Sequence, residues 1–184
     1  MNQFGPEKLP RFTRRLSSVM AGFCLVVIAI SPISALLYWS LTDTGDIARG
    51  ANLSPSEIQV TLAIWQRILA GALSGIPLVL LLVGLWQAYR FFTLFSAGQV
   101  FTARAAHYLS RFAGWSLASV LGSVLCGVAV TLVLTYQNSV GSRLLAVGIS
   151  SDQLFLIFFA GMVYLMASVI RQGQKLAEEN ATFV

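Results

Sequence analysis

The sequence predicts an all-α fold, an integral membrane four-helix bundle that forms a single membrane domain. Composition gives the first two reasons, because 57% of the 184 residues are apolar and only 10% are charged. A soluble domain carries about 25% charged residues, and water does not tolerate such an excess of apolar surface. The third reason is that the apolar residues fall into four long stretches that contain no Asp, Glu or Lys.

The predicted spans cover residues 16–41, 64–95, 112–136 and 154–170. Each is near or above the roughly 20 residues with which a helix crosses a hydrocarbon core about 30 Å thick. A backbone in lipid must satisfy its own hydrogen bonds, which favours helices. Residues 1–15 are predicted to form a basic arm and residues 171–184 a polar tail. The first stretch is too long for a signal peptide, so it is expected to be retained as a span.

Basic residues flank the spans unevenly. Four spans place the two termini and the middle loop on one side, which holds Lys8, Arg11, Arg14, Arg15, Arg90, Arg104, Arg111, Arg171 and Lys175. The other side holds Arg49, Arg67 and Arg143. The positive-inside rule therefore predicts that both termini are cytoplasmic. The net charge of +5 is expected to meet anionic headgroups rather than nucleic acid.

Three helix starts carry capping signals. The segment 54–57, Ser-Pro-Ser-Glu, has a capping box with proline at the first helical position, which predicts a helix that begins before the second span. Thr102 is the expected cap of the third helix, and Ser150 with Gln153 forms a box before the fourth. Residues 42–53 between the first two spans are predicted to be polar coil.

Small residues at helical spacing predict close packing between helices. Gly71 and Gly75 form a GxxxG pattern in the second span, and Ala118 and Gly122 form a similar ridge in the third. These ridges pack the second span on the third, or they pair two protomers. The alternative that these small residues have no packing role stays open, since small residues are common in membrane helices.

Residues suited to catalysis, cofactors or metals are scarce. The single histidine, His107, has no carboxylate near it in sequence, and Cys24 and Cys126 are isolated within apolar stretches. No nucleophile elbow, metal motif or phosphate loop is present, so we expect a protein without catalytic residues, metal or cofactor. The apolar spans also lack the central ionisable residue typical of coupled transporters, which disfavours transport by a monomer.

Two segments resemble hallmark sequences of a bacterial four-span family known as domain of unknown function 2975. They are "FFTLFSAGQVFTARAAHYLSRFAGW" at 91–115 and "RQGQKLAEENATFV" at 171–184. The positions that match are Gly98, Phe101, Thr102, Gly173, Leu176 and Glu179. The resemblance implies the four-span fold and a location in the bacterial inner membrane. It also implies a cytoplasmic partner such as a small helix-turn-helix regulator, which is often encoded beside such proteins.

The leading functional hypothesis is therefore a non-enzymatic membrane protein that binds or senses for a cytoplasmic partner through its inner face. The candidate contact residues are Phe95, Gly98, Phe101, Thr102, Arg104, Gly173, Leu176 and Glu179. One alternative is a small channel or transporter formed by a homo-oligomer through Gly71 and Gly75. Another is an immunity protein that protects against a membrane toxin.

Overall fold

The computed structural model describes residues 11–51, 53–54, 62–99, 102–138 and 150–182, with side chains as far as residue 174. Five helices lie in these segments: α1 (Arg11–Leu41), α2 (Thr44–Gly50), α3 (Ile64–Ser96), α4 (Ala103–Leu134) and α5 (Ser151–Thr182). No strand occurs in them. The predicted all-α class is confirmed.

Four of these helices are long and apolar enough to cross a membrane: α1, α3, α4 and the Ser151–Gln174 part of α5. Burial inside the protein covers only 11% of the most apolar window of α1 and of α3, and 28% of that of α4. Large apolar side chains such as Leu36, Leu125 and Phe155 are more than 70% exposed. Lipid is the medium that suits this surface, and the four-span membrane prediction is confirmed.

The described contacts divide the chain into two compact units. Unit 1 consists of Met1–Ile28, Leu82–Leu117 and Leu156–Val184, and unit 2 of Ala29–Leu81 and Ala118–Phe155. Each of the four long helices contributes one part to unit 1 and one part to unit 2. The functional description below therefore treats each unit on its own.

Helix α2 was not expected, because residues 42–53 had been predicted to be coil. Asp46 lies in its first turn and Arg49 in its last, and their side chains pair at 2.6 Å, an arrangement that suits the helix dipole. Ile47 and Ala48 are 1% and 0% exposed. They belong to an apolar cluster with Leu53, Ala70, Val130 and Leu134. A seven-residue helix carries too little periodicity to be recognised, and burial of this face stabilises it.

Helix α3 begins at Ile64, so a continuous helix from Pro55 is wrong. Leu62 and Ala63 are not helical, and most of the 54–57 capping box lies outside the described residues. The first turn is closed instead by Gln66, whose Oε1 accepts a hydrogen bond from the Ala63 N–H at 3.0 Å. A side chain three residues into the helix thus supplies the cap.

The predicted starts of α4 and α5 are confirmed. Thr102 Oγ1 accepts a hydrogen bond from the Ala105 N–H at 3.2 Å. At α5, the Gln153 N–H donates to Ser150 Oγ at 3.3 Å, and the Ser150 N–H donates to Gln153 Oε1 at 2.9 Å. The α5 backbone stays helical to Thr182, beyond the apolar stretch that ends at Ile170.

Candidate functional site

The turn between α3 and α4 is the first candidate surface, and it belongs to unit 1. Gly98 has a φ of 81°, and its N–H donates to the Phe95 carbonyl at 3.0 Å. The Gln99 N–H donates to the Leu94 carbonyl at 3.1 Å. These two bonds are a Schellman motif, whose left-handed residue strongly favours glycine. The stretch is therefore a defined helix stop, followed at once by the Thr102 cap.

The structure brings four of the predicted contact residues together at this turn, namely Phe95, Gly98, Thr102 and Arg104. Phe95 is half-buried and its ring lies 5.9 Å from that of Phe91, so it packs partly within α3. Arg104 is exposed and has no hydrogen bond or ion pair among the described residues. Phe101 lies outside the described residues.

The remaining predicted contact residues lie on α5, also within unit 1. Gly173 is exposed on this helix. Leu176 and Glu179 lie in its helical backbone, and their side chains are outside the described part. The described contacts do not join this tail to the α3–α4 turn.

The two units differ in the sign of their described charged side chains. The described charged side chains of unit 1 are all basic: Arg11, Arg14, Arg15, Arg90, Arg104, Arg111 and Arg171. Those of unit 2 are Arg49, Arg67, Asp43, Asp46 and Asp152. In unit 1, the Arg90 guanidinium carbon lies 5.7 Å from the Trp86 ring and 5.8 Å from the Tyr108 ring, which links α3 to α4.

A cavity of about 790 Å³ lies within unit 2. Its walls come from α1, α2, α3 and α4, with Gln153 contributed by α5. None of its lining residues carries a formal charge. The hydroxyl side chains among them are Ser31, Ser34, Tyr38, Ser74, Ser123 and Thr131.

Four of these hydroxyls donate to carbonyls of their own helices. Ser34 Oγ donates to the Ser31 carbonyl at 2.9 Å and Ser74 Oγ to the Ala70 carbonyl at 2.9 Å. On α4, Ser123 Oγ donates to the Val120 carbonyl and Thr131 Oγ1 to the Val128 carbonyl, each at 2.8 Å. This back-bonding is common for hydroxyl side chains inside membrane helices. The single hydrogen of each group is thereby engaged, while its oxygen retains acceptor capacity.

Two glutamines in unit 2 join the starts of α3 and α5 to α4. Gln66 caps α3, and its Nε2 also donates to the Val133 carbonyl of α4 at 2.8 Å. Gln153 caps α5, and its Nε2 also donates to Ser123 Oγ of α4 at 3.0 Å. Each glutamine lies at the third position of its helix, so one side chain closes a helix start and bonds α4.

Arg67 of α3 bonds backbone carbonyls at the end of α1. Its Nη1 donates to the Thr42 carbonyl at 2.9 Å and to the Trp39 carbonyl at 3.3 Å. A cation at a helix C-terminus satisfies free carbonyls and suits the dipole. The sequence analysis had placed Arg67 among the basic residues opposite the termini, and nothing in the sequence connected it to α1.

The predicted glycine ridges have separate surroundings. A Cβ added at Gly71 would lie 3.3 Å from Trp39 Cγ of the same chain, and one at Gly75 would meet open space. A Cβ at Gly122 would lie 3.4 Å from Leu80 and 3.7 Å from Pro77 of α3. Ala118 is half-buried, and Ser119 Oγ beside it donates to the Pro77 carbonyl at 2.7 Å.

Nothing in the described part of the chain resembles a metal site, since no three His, Cys, Asp or Glu side chains come together there. His107 is exposed on α4. Cys24 is buried in unit 1, and Cys126 is half-buried in the cavity wall of unit 2.

Comparison with known proteins identifies the family. The model of a family described as protein of unknown function (DUF2975) matches residues 23–184. No curated protein and no solved structure matches the chain. The chain belongs to the DUF2975 family, and the resemblance stated from its two segments is confirmed.

Proposed function

We propose that this member of the family is a non-enzymatic protein of a bacterial inner membrane that binds a cytoplasmic partner through unit 1. The α3–α4 turn carries the proposal. Its described backbone is held on one side by the Gly98 Schellman motif and on the other by the Thr102 cap. Arg104 is exposed beside it and is not engaged by another described side chain. A preorganised surface binds at low entropic cost.

Charge supports a protein partner with an acidic face, such as a small helix-turn-helix regulator. All described charged side chains of unit 1 are arginines, and positive segments are retained on the cytoplasmic side of a membrane. A surface of one sign steers an oppositely charged partner and raises the association rate.

The helical tail of α5 supports the same proposal. Twelve residues, from Arg171 to Thr182, continue the helix beyond the apolar stretch that ends at Ile170, which is about 18 Å of helix. This extension carries Leu176 and Glu179 beyond the apolar segment on a regular backbone, where a partner reaches them.

Charge reversal at the turn tests the proposal. The Arg104→Glu variant and wild type are crosslinked in native membranes, purified in detergent, and compared by quantitative mass spectrometry. We expect at least a tenfold loss of the captured cytoplasmic protein in the variant. Arg111→Glu is the matched control, because Arg111 is also exposed and unpaired among the described residues of α4. Equal recovery from Arg104→Glu and wild type refutes the role of the turn.

Orientation is tested separately. A fluorescent protein fused after Val184 is expected to fluoresce, and alkaline phosphatase fused at the same position is expected to be inactive. The opposite pattern places the α5 tail in the periplasm and removes the cytoplasmic partner.

A further inference from the structure

We propose that the cavity of unit 2 binds an uncharged lipophilic molecule that carries a hydrogen-bond donor, the chemistry of a long-chain alcohol or an alkylphenol. This proposal is independent of the partner proposed for unit 1, because it concerns a separate set of residues. It assigns a ligand class to a site that the sequence did not indicate.

Size is the first argument. The cavity measures about 790 Å³, within the range of about 300 to 1,000 Å³ that is usual for small-molecule sites. Its wall combines apolar side chains such as Ile47 and Val130 with hydroxyl groups. A lipophilic body with a few polar contacts matches this mixture.

Charge excludes ionic ligands. No lining residue carries a formal charge, and an unpaired ion in an apolar setting is strongly disfavoured. Near α2, Arg67 donates to the Thr42 and Trp39 carbonyls and Asp46 pairs with Arg49, while Asp43 is exposed and does not line the cavity. A neutral ligand therefore fits best.

The direction of the hydrogen bonds around the cavity sets the last requirement, which is that the ligand donates a hydrogen bond. The hydroxyl hydrogens of Ser34, Ser74 and Thr131 are engaged by carbonyls of their own helices. The Nε2 of Gln153 donates to Ser123 Oγ. Ser123 Oγ in turn donates to the Val120 carbonyl. These four hydroxyls therefore offer oxygens that accept, and a ligand complements them by donating an O–H or N–H.

Glycine creates the space. Gly75 and Gly127 both line the cavity, and a Cβ added at either would meet nothing within 4 Å. A leucine at one of these positions fills the cavity without displacing a neighbouring backbone. Gly114 also has nothing within 4 Å of an added Cβ, but it lies on α4 in unit 1. It supplies a matched control.

The test is photolabelling in phosphatidylcholine nanodiscs with an alkylphenol that carries a diazirine in its chain. We expect labelled peptides from the cavity wall, including Tyr38 and Val130, and competition by 4-octylphenol. Its methyl ether, 4-octylanisole, lacks the donor and is expected to compete at least tenfold more weakly. Diacylglycerol, a membrane lipid with one hydroxyl, is tested as a further competitor. Stronger competition by diacylglycerol than by the phenol would show that the ligand comes from the membrane lipids.

Variants complete the test, with helicity checked by circular dichroism. Gly75→Leu is expected to lower labelling of the wall at least tenfold, while Gly114→Leu labels like wild type. Gly127→Leu replaces Gly75→Leu if the latter does not fold. Labelling spread evenly over lipid-facing residues such as Phe155 overturns the site. Equal competition by the ether overturns the donor requirement, and stronger competition by octyltrimethylammonium overturns neutrality.

Discussion

Units 1 and 2 share the same four long helices but are stabilised by different chemistry. In unit 1, Arg90 lies against the aromatic rings of Trp86 and Tyr108, and all described charges are positive. In unit 2, neutral amides of Gln66 and Gln153 join helix starts to α4. One membrane helix therefore meets two kinds of packing along its length, and hydropathy alone does not distinguish them.

Glycine has opposite roles at two positions of α3, one in each unit. A Cβ added at Gly84 in unit 1 would lie 3.2 Å from Trp115 Cβ and 3.6 Å from the Phe112 carbonyl oxygen, because α3 and α4 approach closely there. A Cβ added at Gly75 in unit 2 would meet open space. The missing side chain permits a close helix contact at Gly84 and leaves cavity space at Gly75.

The largest expected effect comes from this contrast. Gly84→Leu is expected to reduce the free energy of unfolding by about 3 kcal/mol, because it overpacks a close contact. Gly75→Leu is expected to change it little, since the cavity accepts the side chain. Unfolding in mixed micelles with increasing sodium dodecyl sulfate measures both values. Equal losses in the two variants would break the comparison.

The next largest losses of stability are expected at the two capping glutamines. Gln66 is 1% exposed, so Gln66→Ala leaves buried polar groups unsatisfied and is expected to cost about 2 kcal/mol. Gln153 is only half-buried, and water replaces part of its bonding. We expect about 1 kcal/mol for Gln153→Ala in the same titration. A larger loss at Gln153 would contradict the burial argument.

Arg90 tests how unit 1 is held together. Arg90→Ala is expected to cost about 1 kcal/mol, because it removes contacts with Trp86 and with Tyr108 of the next helix. Arg171→Ala is the control: Arg171 lies 5.8 Å from the ring of Tyr164 on its own helix. Micelle unfolding should show a smaller loss for this control. Equal losses would show that the α3–α4 contact adds nothing.

The smallest effect concerns two serines that bond across helices. Ser17 Oγ donates to the Phe92 carbonyl in unit 1, and Ser119 Oγ donates to the Pro77 carbonyl in unit 2, each at 2.7 Å. Both are buried, so each alanine variant is expected to cost about 0.6 kcal/mol in detergent unfolding. A difference above about 1 kcal/mol between the two would show that the units respond differently to the same bond.

The spans and two of the helix starts were predictable because they depend on local signals. Four apolar stretches define the membrane helices, and the caps at Thr102 and Ser150 act within three residues. Gly98 was recognisable as a break between helices, and the structure gives its physical reason in a positive φ.

Long-range features were not predictable. Helix α2 depends on burial of Ile47 and Ala48, and the Gln66 Nε2 group bonds a carbonyl 67 residues away. The cavity brings together hydroxyls of three helices, such as Ser34, Ser74 and Thr131, which in sequence look like ordinary small residues. The sequence offered one signal for this cavity, which is that small polar residues recur in the same part of several spans.

The bonds from both glutamines to α4 have a consequence for biosynthesis. The ribosome releases Gln66 well before Val133, the residue whose carbonyl its Nε2 bonds. The local cap of α3 can therefore form early, while the Gln66 Nε2 group has no α4 carbonyl to bond until Val133 has been made. At α5 the order is reversed, because Ser123 is already present when Gln153 emerges.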